Sequence, residues 1–413
     1  MRSWPQVILP PINGTYAHPD LQLFDSYKKV FVPITDSKVS IYVCGITPYD
    51  ATHLGHAATY LSFDLVNRYL LASGKNTWFI ENVTDIDDPL FERAARDQQN
   101  WQDLAHSQID LFTEDMSALR VLPPQAYKGV VESMEGIIEI VSLHIKSGST
   151  YSLNGDIYLD LSANVGALER VPLPMSEAIN IFRERGGDPD RHGKRHPLDP
   201  LLWRAKRDGE PSWHTDFGDG RPGWHVECVA IALQNLDKNF LEPKTSITIQ
   251  GGGSDLLFPH HFLTAIQSES LTHRPFAQAY VHAGMIGLDG EKMSKSRGNL
   301  VFVSRLLKEG VSPTVVRAAL LLSHYQSDRM WSEELLATAK KLVSRIEACL
   351  SRTEAAPTNS VIQEIINALA DNLDTPKVFD LLTHWCELTE SGGVGGSVGE
   401  LSRALDTYLG LAF

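Results

Sequence analysis

The sequence predicts an α/β fold: a Rossmann-type parallel sheet split by a mixed insertion and followed by a C-terminal helical bundle. Three observations carry that prediction. Residues 39–88 read strand, helix, strand, the opening of a right-handed βαβ unit. Strand and helix signals resume over 201–282 after a stretch of mixed pattern. From residue 331 onward the apolar pattern is helical.

In chain order, residues 1–38 form an N-terminal arm, Pro-rich at its start, with an edge element at 21–24. The first half of the sheet domain spans 39–120. Its first strand is VSIYV at 39–43, followed by an amphipathic helix from about 54 to 73 that stops at Gly74. A second strand at 77–83 ends in the polar cluster NVTDIDD. Its aspartates Asp85, Asp87 and Asp88 are read as helix capping and loop ties in preference to a metal site. Helices follow at 90–97, 101–119 and 129–147, with Pro123 and Pro124 breaking the run. An insertion spans 121–200, with a short strand pattern at 156–161. The second half of the sheet domain, 201–282, shows helices at 224–236 and 256–269 and strands at 245–250 and 279–282. Residues 283–335 hold a Gly/Lys/Ser loop and stem helices. A short helical domain at 336–413 is interrupted by APTN at 356–359 and GGVGG at 392–396.

Composition bounds the class. A chain of 413 residues, 43% hydrophobic and 21% charged, is long enough for two or three soluble domains. No apolar run reaches the ~20 residues that span a bilayer, and the N-terminus lacks a charged-then-apolar leader, so a cytoplasmic location is expected. Four cysteines, Cys44, Cys228, Cys349 and Cys386, with no secretion signal argue against a disulfide framework. A net charge of −14 disfavours a broad nucleic-acid surface.

The chemistry concentrates in CGITPYDATHLGH at 44–56, between the first strand and its helix. A strand-to-helix turn presents free N–H groups and the positive end of a helix dipole, which suits phosphate. His53 and His56 flank Gly55, and Cys44 lies at the strand end. A second motif, GEKMSKSRGN, places Lys292 and Lys295 among small hydroxyl residues, a cation clamp suited to a polyphosphate. Two histidines at a helix start are often structural, and a Lys/Ser loop is often a solvated surface. Together, at opposite ends of a split sheet, the two form a specific pair.

With these two signatures the chain resembles the class I aminoacyl-tRNA synthetases. That resemblance implies ATP with Mg²⁺ as substrate. His53 and His56 would lie on the phosphates, and Lys292 and Lys295 on the leaving pyrophosphate. The adenylate would rest along Cys44, Gly45, Ile46, Thr47, Thr59, Asn82, Val83, Thr84, Trp224, Gly253, Ser254, Asp255 and Ile286. Segments 44–56, 82–88, 194–203, 209–228 and 251–261 resemble the cysteinyl branch in particular. That branch implies one Zn²⁺ per chain on Cys44, Cys228 and His260, with the substrate thiolate in the open position. From the residues alone, two buried cysteines and a capping histidine are the plainer reading. The chemistry nonetheless suits such a site, because a soft thiolate on zinc separates cysteine from near-isosteric serine where shape does not.

Two positions depart from pattern. The cysteinyl-tRNA synthetases place a glutamate ligand four residues after the first histidine of the HH pair, and here that residue is Thr264. Threonine is found there in the sister ligases that join cysteine to glucosaminyl-inositol in mycothiol synthesis. The resemblance to those ligases covers roughly 40–335, including ATHLGHAATY at 51–60, ERGGDP at 184–189 and VHAGMIG at 281–287. Phe262 stands where those ligases carry a glutamate. The tail also bears on the acceptor. From 331 to 413 there are 6 lysines and arginines against 12 aspartates and glutamates, a poor surface for reading an anticodon.

The expected activity is therefore ATP-dependent ligation of L-cysteine to the amine of glucosaminyl-inositol through cysteinyl-AMP, releasing AMP and diphosphate. The expected enzyme is a monomer with small-molecule partners, no tRNA and no membrane. A shortened cysteinyl-tRNA synthetase is the alternative. A third reading, an inactive nucleotide-binding regulator, sits poorly with two intact signatures and three intact ligand positions.

Overall fold

The computed structural model describes residues 1–49, 52–241, 244–288, 290–293 and 299–413. At its centre are five parallel strands in the spatial order Ala277–Ala283, Ile247–Gly253, Lys38–Val43, Asn76–Val83, Ala126–Gly129. The inner strands are buried on both faces, which is why they read as near-continuous apolar runs. The chain order reverses between Lys38–Val43 and Ile247–Gly253. Ligands of open α/β sheets bind in the crevice beyond the strand ends at such a switch point. Cys44 lies just there, its N–H donating to the Gly251 carbonyl at 3.0 Å.

Several elements differ from the sequence-based expectation. The stretch expected as a helix over 129–147 begins with the strand Ala126–Gly129, and the helix proper is Met134–Lys146. That strand is a member of the central sheet, although it falls within the expected insertion 121–200. At four residues it is too short to leave a periodic signal. Likewise Leu201–Ala205 and Gly220–Pro222 fall within the expected second half of the sheet domain. They pair instead with Thr150–Leu153 and Asp156–Leu159 in a separate four-stranded antiparallel sheet. The helix expected from 256 starts at Phe262. Phe258 is extended ahead of Pro259, as a residue before proline prefers, and His260 and His261 stand on the short π-helical segment Leu257–His261 that leads into the helix.

The helix Leu54–Ala72 is also not amphipathic: residues 60–70 are all buried. The sheet covers one side, while the C-terminal helix Val398–Leu409 and the helix Pro313–Leu321 cover the other. Burial on that second side is possible because Asp64 and Arg68, one turn apart, form an ion pair at 2.7 Å that Arg317 completes. The helical domain consists of Glu333–Leu350, Asn359–Ala370, Thr375–Glu390 and Val398–Leu409, with the two expected breaks and a further one at 371–374. Among the described residues no helix is long and apolar enough to cross a membrane.

Candidate active site and metal centre

The turn after Lys38–Val43 is built by close backbone approach. A Cβ on Gly45 would lie 1.4 Å from the Asn82 carbonyl oxygen, so only glycine fits. The Asn82 side-chain oxygen accepts from the Gly45 N–H and the Tyr42 hydroxyl, both at 2.9 Å, and its amide donates to Thr84 Oγ1 at 3.3 Å. Thr84 N–H in turn donates to the Ile46 carbonyl at 2.9 Å. Asn82 is thus the brace of the turn. Ile46 and Val83 bury their side chains in the core, leaving only their backbone for a ligand.

At the other end of the motif His53 is the N-cap of Leu54–Ala72. Its Nδ1 accepts from Gly55 N–H at 3.1 Å and His56 N–H at 3.3 Å. In the neutral ring the proton therefore sits on Nε2. The His53 and His56 rings stack at 3.7 Å, and a Cβ on Gly55 would meet the His53 ring at 2.9 Å. The segment after the Lys/Ser loop joins this turn through the backbone: Leu54 N–H to Val301 O at 2.9 Å and Val303 N–H to Thr52 O at 3.1 Å. Glu291–Lys292 pairs with Ile286–Leu288, which packs against the helix Leu54–Ala72, and His53 bridges Phe302, so the two motifs share one region. Lys295 lies outside the described residues.

Asp115 is buried against that junction. Burial raises its carboxyl to about 7, despite the nearby Ser304 N–H and Lys308. The native state therefore holds this proton more tightly than the unfolded chain, whose carboxyl titrates near ~3.9, and stability falls as pH rises between the two values. Asp115→Asn is expected to melt about 2–4 °C above wild type at pH 8, the margin vanishing near pH 4. An equal margin at both pH values, by scanning calorimetry, would count against this account.

Behind the turn, Cys44, Cys228 and His260 converge, all buried, their ligand atoms within 4.8 Å of one another. Cys228 comes from the helix Trp224–Gln234, and His260 Nε2 lies 3.2 Å from its sulfur. A hydrogen bond from Cys44, with His260 nearby, pulls the Cys228 thiol well down, while burial and Cys228 push Cys44 up. Ionising both thiols in this buried spot calls for a cation between them. Two sulfurs and an imidazole suit a soft divalent ion with one position left open. Thr264, at the glutamate position, is buried, and its hydroxyl has no partner among the described residues. Phe262 faces Phe258 in the apolar core, ring centroids 5.6 Å apart, so no carboxylate stands at that position beside the cluster.

Three histidines that the sequence reading misses complete the centre. His225 Nδ1 lies 2.9 Å from His260 Nδ1 and orients that ring, which Trp224 also stacks at 4.2 Å. His261 Nε2 lies 3.2 Å from Cys44 Sγ, and its Nδ1 is 2.8 Å from His282 Nε2. Burial keeps His225 and His261 neutral. His225 and His261 adjoin motif residues, a signal available in the sequence. His282 arrives only through strand register, opposite Gly252.

Of the remaining expected residues, Gly253 sits near Thr59, whose Oγ1 would be 3.9 Å from a Cβ there. Arg185 of the ERGGDP stretch donates to the Asp255 carbonyl at 2.9 Å and pairs with its carboxylate at 3.6 Å. Asp188 is held by Lys194 at 2.9 Å. The aspartate cluster is structural as expected: Asp85 accepts from Val131 N–H at 2.9 Å, Asp87 caps the helix Asp88–Arg96, and Asp88 pairs with Arg204 and Arg221.

Residues 30–341 match the family described as tRNA synthetases class I (C) catalytic domain. The chain belongs to this family. It is 49% identical over 422 residues to the L-cysteine:1D-myo-inositol 2-amino-2-deoxy-alpha-D-glucopyranoside ligase of Gordonia bronchialis, covering all of this chain and 99% of that one. Identity to the ligase of the same name from Streptomyces griseus is 48%, covering both chains entirely. Within the family the chain therefore stands in the branch of these ligases. Mycobacterium tuberculosis methionyl-tRNA synthetase, in complex with methionyl-adenylate, shares the fold at a TM-score of 0.64 and 16% identity over 90% of this chain and 88% of that one.

Proposed function

We propose that the protein joins L-cysteine to the amine of glucosaminyl-inositol at the expense of ATP, as a cytoplasmic monomer with neither tRNA nor membrane as partner. The observation that supports this acceptor most directly is the end-to-end match to ligases of that name. The acidic tail agrees with it.

In the first half-reaction a carboxylate oxygen of cysteine attacks the α-phosphorus of ATP. The bond to the bridging oxygen breaks and pyrophosphate leaves, accompanied by Mg²⁺. His53 Nε2–H, held by the capping role of Nδ1, donates to phosphate oxygens alongside His56. Lys292 and Lys295 offset the charge that develops on the leaving group. Cys44, Cys228 and His260 would hold Zn²⁺, which when bound would supply a soft Lewis acid for the substrate sulfur and favour cysteine over serine. In the second half-reaction the amine nitrogen attacks the activated carbonyl carbon. The C–N bond forms, the C–O bond to AMP breaks, AMP leaves with the electron pair, and the amine proton passes to solvent.

The test supplies ATP and cysteine with either glucosaminyl-inositol or tRNA and follows the products by mass spectrometry. The amide and AMP are expected from the amino sugar. Transfer to tRNA with none to the amine would sink this reading.

A further inference from the structure

A pocket of about 510 Å³ opens beside the histidine chain. Its walls come from four places in the sequence: Phe24, Lys29 and Phe31 of the hairpin Leu21–Asp25/Val30–Ile34, Ser254, His282, and Gln326. Its size lies within the ~300–1,000 Å³ of small-ligand sites and suits two linked six-membered rings.

Apart from Ser254, the walls carry chemistry that the adenylation step does not use. Phe31 is 55% exposed, with the Phe24 ring edge-on to it at 5.5 Å, which offers an aromatic face to ligand C–H groups. Lys29 holds a left-handed backbone, φ 56°, uncommon outside glycine, and its N–H is fixed on the Asp25 carbonyl at 2.8 Å. His282 uses Nε2 on His261. Its buried Nδ1 has no partner among the described residues. Because His261 in turn touches Cys44, the pocket stands two imidazoles from the sulfur cluster. Ser254 belongs to the stretch assigned above to the adenylate.

The wall is held by the helical domain. Asn372 has φ 55°, and its Oδ1 accepts from Phe24 N–H at 3.0 Å and the Tyr325 hydroxyl at 2.9 Å. Its Nδ2 donates to Gln326 Oε1 at 2.6 Å, which leaves the Gln326 NH₂ for a ligand. Its N–H donates to Gln22 O at 3.0 Å, and its carbonyl lies 2.9 Å from His324 Nε2.

We propose that this pocket seats the acceptor, a two-ring polyhydroxylated amine, with a ring face on Phe31 and hydroxyls on Lys29, Gln326 and His282, and that Asn372 is its positioning residue. This rests on the amino-sugar reading above. It also gives the helical domain a role in acceptor binding, since that domain bolts the pocket wall in place.

The test compares full-length Phe31→Ala and Asn372→Ala with wild type in two assays, amide formation with glucosaminyl-inositol and cysteine-dependent ATP–pyrophosphate exchange. Phe31 is exposed, so its truncation spares the fold. In both variants the KM for the amino sugar is expected to rise roughly three- to tenfold, with the KM values for ATP and cysteine in exchange within about twofold of wild type. An unchanged amino-sugar KM in Phe31→Ala overturns the proposal. So does a raised KM for ATP, which would assign the pocket to the nucleotide. Wild-type enzyme that forms no amide at all rejects the proposed function itself, a separate outcome.

Discussion

Cys228→Ala protein is expected to leave purification without stoichiometric zinc and to lose cysteine-dependent ATP–pyrophosphate exchange by at least about a hundredfold. Cys228 is the buried sulfur that both Cys44 and His260 face, with His260 Nε2 at 3.2 Å, and these two neighbours pull its thiol well down. Removing it leaves one thiol and one imidazole, too few donors for a closed three-ligand set. Metal content by mass spectrometry is the primary readout, because it does not depend on turnover. Cys349→Ala, in the helix Glu333–Leu350, is the control and should keep its metal. Stoichiometric metal in Cys228→Ala would show that the ligand assignment is wrong.

The second large effect is on stability. Asp64 lies on the helix Leu54–Ala72, wholly buried between Arg68 and Arg317. Burial alone would raise its carboxyl, but the two guanidinium groups outweigh it and hold the carboxyl below its usual range. Arg317 is itself drawn down to about 10 by burial. The arginines also bind the end of the C-terminal helix, Arg68 donating to the Asp406 carbonyl at 2.7 Å and Arg317 to the Leu409 carbonyl. Arg317 donates to Leu119 O at 2.7 Å as well, and Leu122 N–H to Asp64 Oδ1 at 2.8 Å.

Asp64→Asn leaves two buried cations facing a neutral amide, at a cost of about 3–5 kcal/mol, a large share of the ~5–15 kcal/mol typical of a domain. Urea denaturation should show that loss at neutral pH. The depressed carboxyl adds a sign. Its stabilisation is complete above the unfolded value near ~3.9 and is lost as pH falls through the native value, so the gap between variant and wild type should close in acid. A variant within about 0.5 kcal/mol of wild type at neutral pH would exclude the network as the tie between the sheet and the helical domain.

The unevenness of what was readable has physical causes. The strand–turn–helix at 44–56 was legible because its demands are local: a glycine where backbones touch, a cap where a helix starts. The candidate metal cluster was nameable only by family likeness, because Cys44, Cys228 and His260 are brought together by the sheet and not by spacing. The strand Ala126–Gly129 was hidden by its length. The burial of the helix Leu54–Ala72 on all sides was hidden because its polar residues Asp64 and Arg68 look solvent-facing until Arg317 arrives from more than two hundred residues away.

By itself, then, the sequence determined the parallel α/β architecture, the strand–turn–helix that carries His53 and His56, and the acidic character of the tail. These follow from local sterics, apolar periodicity and charge, which act within a few residues. Tertiary structure alone decided that His282 links the sulfur cluster to a pocket under the N-terminal hairpin, and that Asn372 bolts that pocket's wall. Such contacts depend on strand register and domain docking, where the energy lies between segments distant in the chain.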